Sequence, residues 1–387
     1  MSVEITPVAA VAVEVTPVTS RRERREFIDL PYRLYSGAEK WVPPLRMQVK
    51  GMLDQRRNPF FEHAEGQLFL ARRNGRVVGR VSAHVDRNLN EFQDNRWGLF
   101  GFFECEDDPQ AARALIGAAE SWLRERGCDR LVGPMDYTTN DECGVLIEGH
   151  DRTPIILTPW QFPYYQRLLE QDCGLAKAMD TLMWNLNVTG RDKVHPTIWA
   201  VARDVEAKHG IVCRQFRKKD LEDEIGRFLE VYNAAWERNW GFVPLTEREV
   251  RHYAKELRPI LDENWAFIAE RKDTGEVVGA ALTLPDYNQV LHGLGGRLLP
   301  FGWWKIMRGR KTIDRVRVFA LGVKPEYQHT GVAARFYEMH FDAAERTPQT
   351  QGETGWILET NKSMNRAMEG MGGEIVRRYR LYERVFS

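Results

Sequence analysis

Val316-Arg317-Val318-Phe319-Ala320-Leu321-Gly322-Val323 runs through Lys324-Pro325-Glu326-Tyr327 into Gln328-His329-Thr330-Gly331-Val332-Ala333, and the chain continues as Ala334-Arg335-Phe336-Tyr337. The first segment reads as a buried strand, and Pro325, with no N–H for the ladder, ends it. The segment after Gly331 reads as a helix, with Val332, Phe336, Met339 and Ala343 on one face. A strand entering a helix through a short polar turn leaves the first helical N–H groups unpaired. Those amides and the helix dipole together suit an anion. Gly331 and Ala333 are small enough to let a pyrophosphate reach the backbone, and Gln328, His329 and Thr330 add side-chain donors.

Ahead of this strand lies a hairpin that the chain has used before. Phe267-Ile268-Ala269 leads through a turn to Val277-Val278-Gly279, as Phe69-Leu70-Ala71 leads to Val77-Val78-Gly79. The final glycines are 279 − 79 = 200 residues apart, close to half of the 387-residue chain. Helical patterns flank both hairpins, and each half reads α, hairpin, β, α, β, α, β. The expected class is α/β (an α+β mixed sheet), with two tandem domains, each a mixed twisted sheet flanked by helices. The expected boundaries are a disordered tail at 1–20, one domain at 21–190 and another at 191–387. The break is expected near Thr189-Gly190-Arg191.

Composition narrows the function classes. Lys and Arg number 55 against 55 Asp and Glu, so the formal net charge is zero, and broad nucleic-acid binding is not expected. Five cysteines without a C-x-x-C pair argue against a disulfide framework or structural zinc, and no metal is expected. A reduced, cytoplasmic setting fits those thiols. No apolar run is long enough to span a bilayer, and the N-terminal stretch lacks the pattern of a signal peptide. The 12 Trp and 18 Phe are many for a neutral chain.

With its strand, turn and helix, the quoted stretch resembles the Gcn5-related N-acetyltransferase (GNAT) superfamily, whose acyl-CoA signature is Q/R-x-x-G-x-G/A. Gln328, Gly331 and Ala333 match it, and Val323-x-Pro325-x-Tyr327 matches the usual preamble. The family pattern N-x-x-A-x-x-x-Y-x-x-x-G-F is met by Asn361 and Gly372, while Met364, Met368 and Gly373 depart from it. The first half offers Glu104-Cys105-Glu106-Asp107-Asp108-Pro109 at the matching place, without the glycine and with carboxylates that would repel a pyrophosphate. With Asn58-Pro59-Phe60-Phe61, this resembles bacterial tandem GNAT proteins that pair a degenerate N-terminal copy with a signature-bearing C-terminal one.

The resemblance implies a donor, acetyl-CoA or a longer acyl-CoA, held by Leu321, Gly322, Val323, Gln328, His329, Thr330, Gly331, Val332, Ala333 and Asn361. It implies N-acyl transfer to an amine. The usual leaving-group acid is a helix tyrosine, and Met368 cannot act as one. Glu359 and Tyr382 are the candidates for proton transfer, with Asn361 beside them, and Glu359 is the expected base. Asn140 and Glu142 lie in the polar insertion Gly133–Gly144, which reads equally as an acceptor pocket or a solvated loop. Tyr164, in an aromatic run, reads as acceptor contact or as packing. Trp303 and Trp304 belong to Leu298–Lys311, where Trp stands beside Lys and Arg. That segment suits a lipidic amine acceptor or peripheral contact with the inner membrane surface, and it suits an interdomain contact equally well. A Fem-like aminoacyl transferase and a non-catalytic acyl-CoA sensor are the alternatives.

Overall fold

The computed structural model describes residues 12–187 and 190–387. Strand β1 (Glu14–Pro17) pairs antiparallel with Phe69–Arg72, so the expected tail is ordered from here on. Residues 1–11, and Thr189 at the expected domain break, lie outside the described residues. Helix α1 (Arg21–Leu34) begins at a capping box in which Ser20 and Glu23 each accept from the other's backbone N–H.

The first half continues with α2 (Arg46–Met52), β2 (Ala64–Arg73), β3 (Arg76–Asp86), α3 (Arg87–Phe92), β4 (Trp97–Cys105) and α4 (Pro109–Arg124). It closes with β5 (Arg130–Gly133), β6 (Val145–Glu148), α5 (Tyr164–Arg167) and β7 (Ala176–Asn187). The second half opens with α6 (Pro196–His209), β8 (Ile211–Gln215), α7 (Leu221–Trp236), α8 (Glu247–Leu257), β9 (Ala266–Arg271) and β10 (Val277–Pro285). It ends with α9 (Asn288–Leu291), α10 (Gly302–Gly309), β11 (Arg315–Val323), α11 (Val332–Arg346), β12 (Gln351–Leu358), α12 (Lys362–Gly370) and β13 (Glu374–Val385).

The repeated Val-Val-Gly has a packing cause. Gly79 stands opposite Cys105 on β4, and Gly279 opposite Val323 on β11. A Cβ at Gly79 would sit 2.6 Å from Leu115 of α4, and one at Gly279 would sit 2.8 Å from Val332 of α11. Each hairpin therefore ends in glycine where the next helix crosses it. Both copies also bulge just beyond, between Arg80 and Ser82 and between Leu282 and Thr283.

The two halves share one sheet, ordered β1-β2-β3-β4-β5-β13-β7-β12-β11-β10-β9-β8, with β6 beside β13. The last strand of each half crosses over: β7 lies between β13 and β12, and β13 between β5 and β7. Each covers an edge that the other half would leave open. The bounds 21–190 and 191–387 thus divide the chain but not the sheet. A buried ion pair ties the crossover: Arg377 on β13 meets Glu353 on β12 and also donates to the Thr153 carbonyl at 2.6 Å. Part of the aromatic surplus packs in the first half, where Tyr35 stacks on Trp41 and Phe162, and Phe162 stacks on Tyr164.

A second tie joins the halves at His63, whose Nδ1 meets Asp86 at 2.8 Å and Nε2 meets Glu249 of α8 at 3.1 Å. Burial pulls the imidazole down, but the two carboxylates outweigh it and hold it up at about 9. A value raised above 6.5 means this stabilisation is complete below about 6.5 and is lost as pH rises through about 9. Urea unfolding of His63→Gln should therefore lack a fall across that window that the wild type shows, on the order of 3 kcal/mol at most. Parallel pH profiles in both proteins would rule the tie out.

Candidate active site

The site begins where two parallel strands part. β11 and β12 pair only from Arg315 with Gln351 to Val318 with Thr354, although β12 goes on pairing with β7 through Leu358. The parting starts at a bulge: Val318 opposes Thr283, Ala320 opposes Leu282, and Phe319 is the extra residue. From Phe319 to Val323 that edge of β11 has no partner strand among the described residues. Below it, α11 starts at Gly331, whose φ of +86° is the left-handed turn glycine permits, and no side chain caps the helix.

The first half closes both features. Asp108 caps α4, its carboxylate accepting from the Gln110 and Ala111 N–H groups at 3.0 and 3.2 Å while Arg73 holds it. Tyr164 donates to the Cys105 carbonyl at 2.8 Å, and the Cys105 N–H donates to the Tyr165 oxygen at 3.2 Å. Cys105 corresponds to Val323 by its pairing with Gly79. Side chains of this half thus hold both the N–H and the carbonyl of Cys105, whereas at Val323 a side chain, Gln328, reaches the carbonyl alone among the described residues, at 3.4 Å.

On the α11 and α12 side of the parting lies a narrow apolar cleft, lined by Leu321, Tyr337, Phe341, Met364, Met368 and Met371 among others. Met368 is fully buried there. Tyr337, one helix away, donates to the Met364 sulfur at 3.6 Å, the one hydrogen bond of its phenol among the described residues. Burial pushes its phenol up to about 12. His340 is neutral: its Nδ1–H donates to the Phe336 carbonyl, its Nε2 accepts from Thr283, and burial pulls it down to about 4.

On the opposite face the first half meets the second. Gly322 leaves room for the Trp236 ring of α7, which a Cβ would approach to 2.2 Å. The Gly133–Gly144 insertion docks on these helices: Tyr232 donates to Asn140, Thr139 to the Gly241 carbonyl at 3.0 Å, and Tyr253 to Asp141 at 3.0 Å. Glu142 follows, its carbonyl accepting from the Asp136 N–H at 2.8 Å and its carboxylate without a hydrogen bond among the described residues, with Arg317 of β11 within electrostatic reach. Burial pushes its carboxyl up to about 7, and Arg317 offsets only part of that rise. Asp136 and Asp141 are raised too, chiefly by burial. Arg317 donates to the carbonyls of Gly355, Ile156 and Leu157, and so pins the 156–157 loop over the strand. Two buried donors nearby, Asn140 Nδ2 and Trp356 Nε1, have no partner among the described residues.

No family model matches the chain. The bacterial ceramide synthase of Caulobacter vibrioides is 37% identical to it over 380 residues, covering 96% of this chain and 97% of that one. Protein YghO of Escherichia coli is 34% identical over 373 residues, covering 94% and 93%. The chain belongs to this family. Among solved structures, the tandem GNAT protein from the clavulanic acid biosynthesis pathway superposes with a TM-score of 0.56 at 12% identity, over 96% of this chain and 98% of that one. A probable N-acyltransferase from Enterococcus faecalis gives 0.51 at 9% identity, over 97% and 72%. The fold is the GNAT fold in tandem.

Within that fold the expected residues take unequal places. Leu321, Gly322 and Val323 lie in register with Ala281, Ala280 and Gly279 on β10, and their other edge is the open one. Gln328 donates to the Val323 carbonyl at 3.4 Å, Thr330 to the Tyr327 carbonyl at 2.6 Å, and His329 is exposed. The Val332 side chain packs in the core against Gly279, so only its backbone faces the turn. Ala333 follows in the first turn of α11, partly buried. Asn361 caps α12, accepting from the Met364 N–H at 3.1 Å.

Glu359, the expected base, has both oxygens engaged, by Lys177 at 2.8 Å and by the Asp180 N–H at 3.1 Å. Tyr382 is buried and donates to Glu170 at 3.1 Å, and it faces Lys177 in the β13–β7 register. Those two belong to an ion-pair network along β7, whereas the Glu142 carboxylate has no hydrogen-bond partner among the described residues. Asn140 and Glu142 do come together at the second half. Tyr164 is committed to Cys105, and Trp303 and Trp304 stand exposed on α10. Sequence reading passed over Arg317, Tyr337, Tyr232 and Tyr253. The signal for Arg317 was present, since a guanidinium inside an apolar strand needs partners. The others look like ordinary core tyrosines until the halves are joined.

Proposed function

We propose that this GNAT N-acyltransferase moves a long-chain acyl group from coenzyme A to the amino group of a long-chain amino alcohol. A ceramide is the amide of such an amine, and the likeness to the Caulobacter vibrioides ceramide synthase supports the acceptor class. The observation that carries the reading is the open edge of β11 above an uncapped α11, set back to back with Glu142 across one strand. The donor's pyrophosphate fits the α11 turn, and its amide-bearing arm fits the unpaired edge from Phe319 to Val323. The cleft beside that edge is lined by methionines, whose flexible side chains must shift to admit a long hydrocarbon, since it holds only about 30 Å³ as it stands. The first half, closed at Asp108, Tyr164 and Tyr165, supplies the acceptor wall and no second donor site.

The amine reaches the thioester from the α7 face. Its nitrogen attacks the carbonyl carbon, whose oxygen is stabilised by the amide freed at the Phe319 bulge. Glu142, as carboxylate, takes the nitrogen's proton. The C–S bond then breaks, and the leaving sulfur takes a proton from Tyr337, which replaces the absent α12 tyrosine from the neighbouring helix. Tyr337→Phe should lower kcat by ~10–100-fold while leaving donor affinity within about twofold, because only one proton donor is removed. An unchanged kcat would reassign the sulfur's proton to solvent.

The overall reading is tested by incubating the purified chain with acyl-CoAs of increasing length and a long-chain amino alcohol. Free thiol release and the amide product, identified by mass spectrometry, are expected together. Donor binding without amide would make the chain a sensor, and acylation only from charged tRNA would make it Fem-like. An acceptor of this kind resides in a bilayer, so the reading also calls for contact with the inner membrane surface, and Leu298–Lys311 is the segment suited to it.

A further inference from the structure

Between Asp286 and Asp314 the chain carries no carboxylate. Within that stretch Leu299, Phe301, Trp303 and Met307 are 79%, 71%, 57% and 54% exposed, and Trp304 is exposed beside them. Most large apolar side chains of the described residues are buried, and exposed ones are concentrated here on one short helix, α10, and the turn before it. Arg297, Lys305, Arg308, Arg310 and Lys311 share the segment and are exposed. None of the five forms an ion pair among the described residues, in a protein where most arginines do. Arg308 lies over the Trp304 ring at 3.8 Å, so the cation and the apolar surface form one unit.

The segment projects from a firm mount. Asn288 donates to the Pro154 carbonyl at 3.0 Å, the Arg46 side chain to the Gly295 carbonyl at 3.1 Å, and the Arg46 N–H to the Gly296 carbonyl at 3.1 Å. His292 meets the Glu39 carbonyl at 2.9 Å. Gly309 lies against Val290, seating α10 on α9. At the base of the segment is a cavity of about 480 Å³, lined by Tyr32, Tyr35, Trp41, Arg46, His292 and Arg297.

We propose that the 297–311 segment docks the protein on a bilayer rich in anionic phospholipid. Its apolar side chains enter the headgroup boundary and its unpaired cations meet lipid phosphates. Charge complementarity selects that occupant: cations without counter-ions mixed with Trp and Phe match an anionic interface, whereas an ordinary protein interface is depleted in lysine. This deepens the lipid-acceptor reading and rests on it for its purpose, but binding is measured without substrate, so the two can fail separately.

The test is co-flotation of the full chain with phosphatidylcholine vesicles, with and without phosphatidylglycerol. The expected result is binding to the anionic vesicles only, weakened by salt as screening shortens the reach of the charges. Phe301→Ser with Trp303→Ser, and separately Arg308→Gln with Lys311→Gln, should each reduce binding at least about tenfold. Their thermal unfolding should stay close to wild type, because all four side chains are exposed. Wild-type protein that stays with the unbound fraction overturns the proposal, as does undiminished binding by both variants. So does a wild-type dimer that ignores vesicles and becomes monomeric in the serine variant, since the face would then belong to a second copy.

Discussion

Glu142→Gln lowers kcat by ~10²–10⁴-fold, the span a positioned general base supplies, and leaves the KM for acyl-CoA unchanged. In the proposed arrangement the donor lies along the open edge of β11, while Glu142 stands on the α7 side with Arg317. Its carboxyl, pushed up to about 7 by burial, must be ionised to accept a proton. The wild-type rate therefore rises with pH and levels off above about 7, whereas the glutamine variant lacks that limb. Glutamine keeps the size and polarity of the side chain, so packing of the Gly133–Gly144 loop is preserved. A variant that retains the limb and loses less than about tenfold in kcat would return the role to Glu359.

Arg377→Met destabilises the fold by about 3–5 kcal/mol, because it strands the Glu353 carboxylate in the interior. Arg377 is fully buried, and Glu353 is 2% exposed. The pair bridges β13 and β12, strands separated only by β7, so its loss loosens the crossover that joins the halves. Urea unfolding should show the shift as an earlier midpoint. Adding Glu353→Leu to the same chain should recover much of the loss, since an apolar pair carries no desolvation penalty. A single variant that loses under about 1 kcal/mol would mean that water reaches Glu353.

The strand, turn and helix at 316–346 were legible because each has a local cause. Pro325 ends the ladder, Gly331 takes the left-handed turn, and the Val332, Phe336, Met339 spacing makes one buried stripe. The duplicated hairpin was legible for the same reason, since glycine recurs where each following helix crosses. The first half's closure was legible only in part. Acidic residues at 104–108 announced an unsuitable anion site, but not that Asp108 caps α4 or that Tyr164 and Tyr165 fill the β4 edge.

By itself the sequence determined the tandem plan, which half keeps an open anion turn, and the cationic, aromatic segment at 298–311. Those features depend on neighbours within a few residues, so spacing and residue type specify them. Only the tertiary structure brings the proposed catalytic groups together and shows one sheet shared by both halves. Glu142 and Arg317 are 175 positions apart (317 − 142), and β7 and β13 exchange between halves. Burial gives Glu142 its raised proton affinity, and burial is created by packing between distant segments. No local pattern carries it.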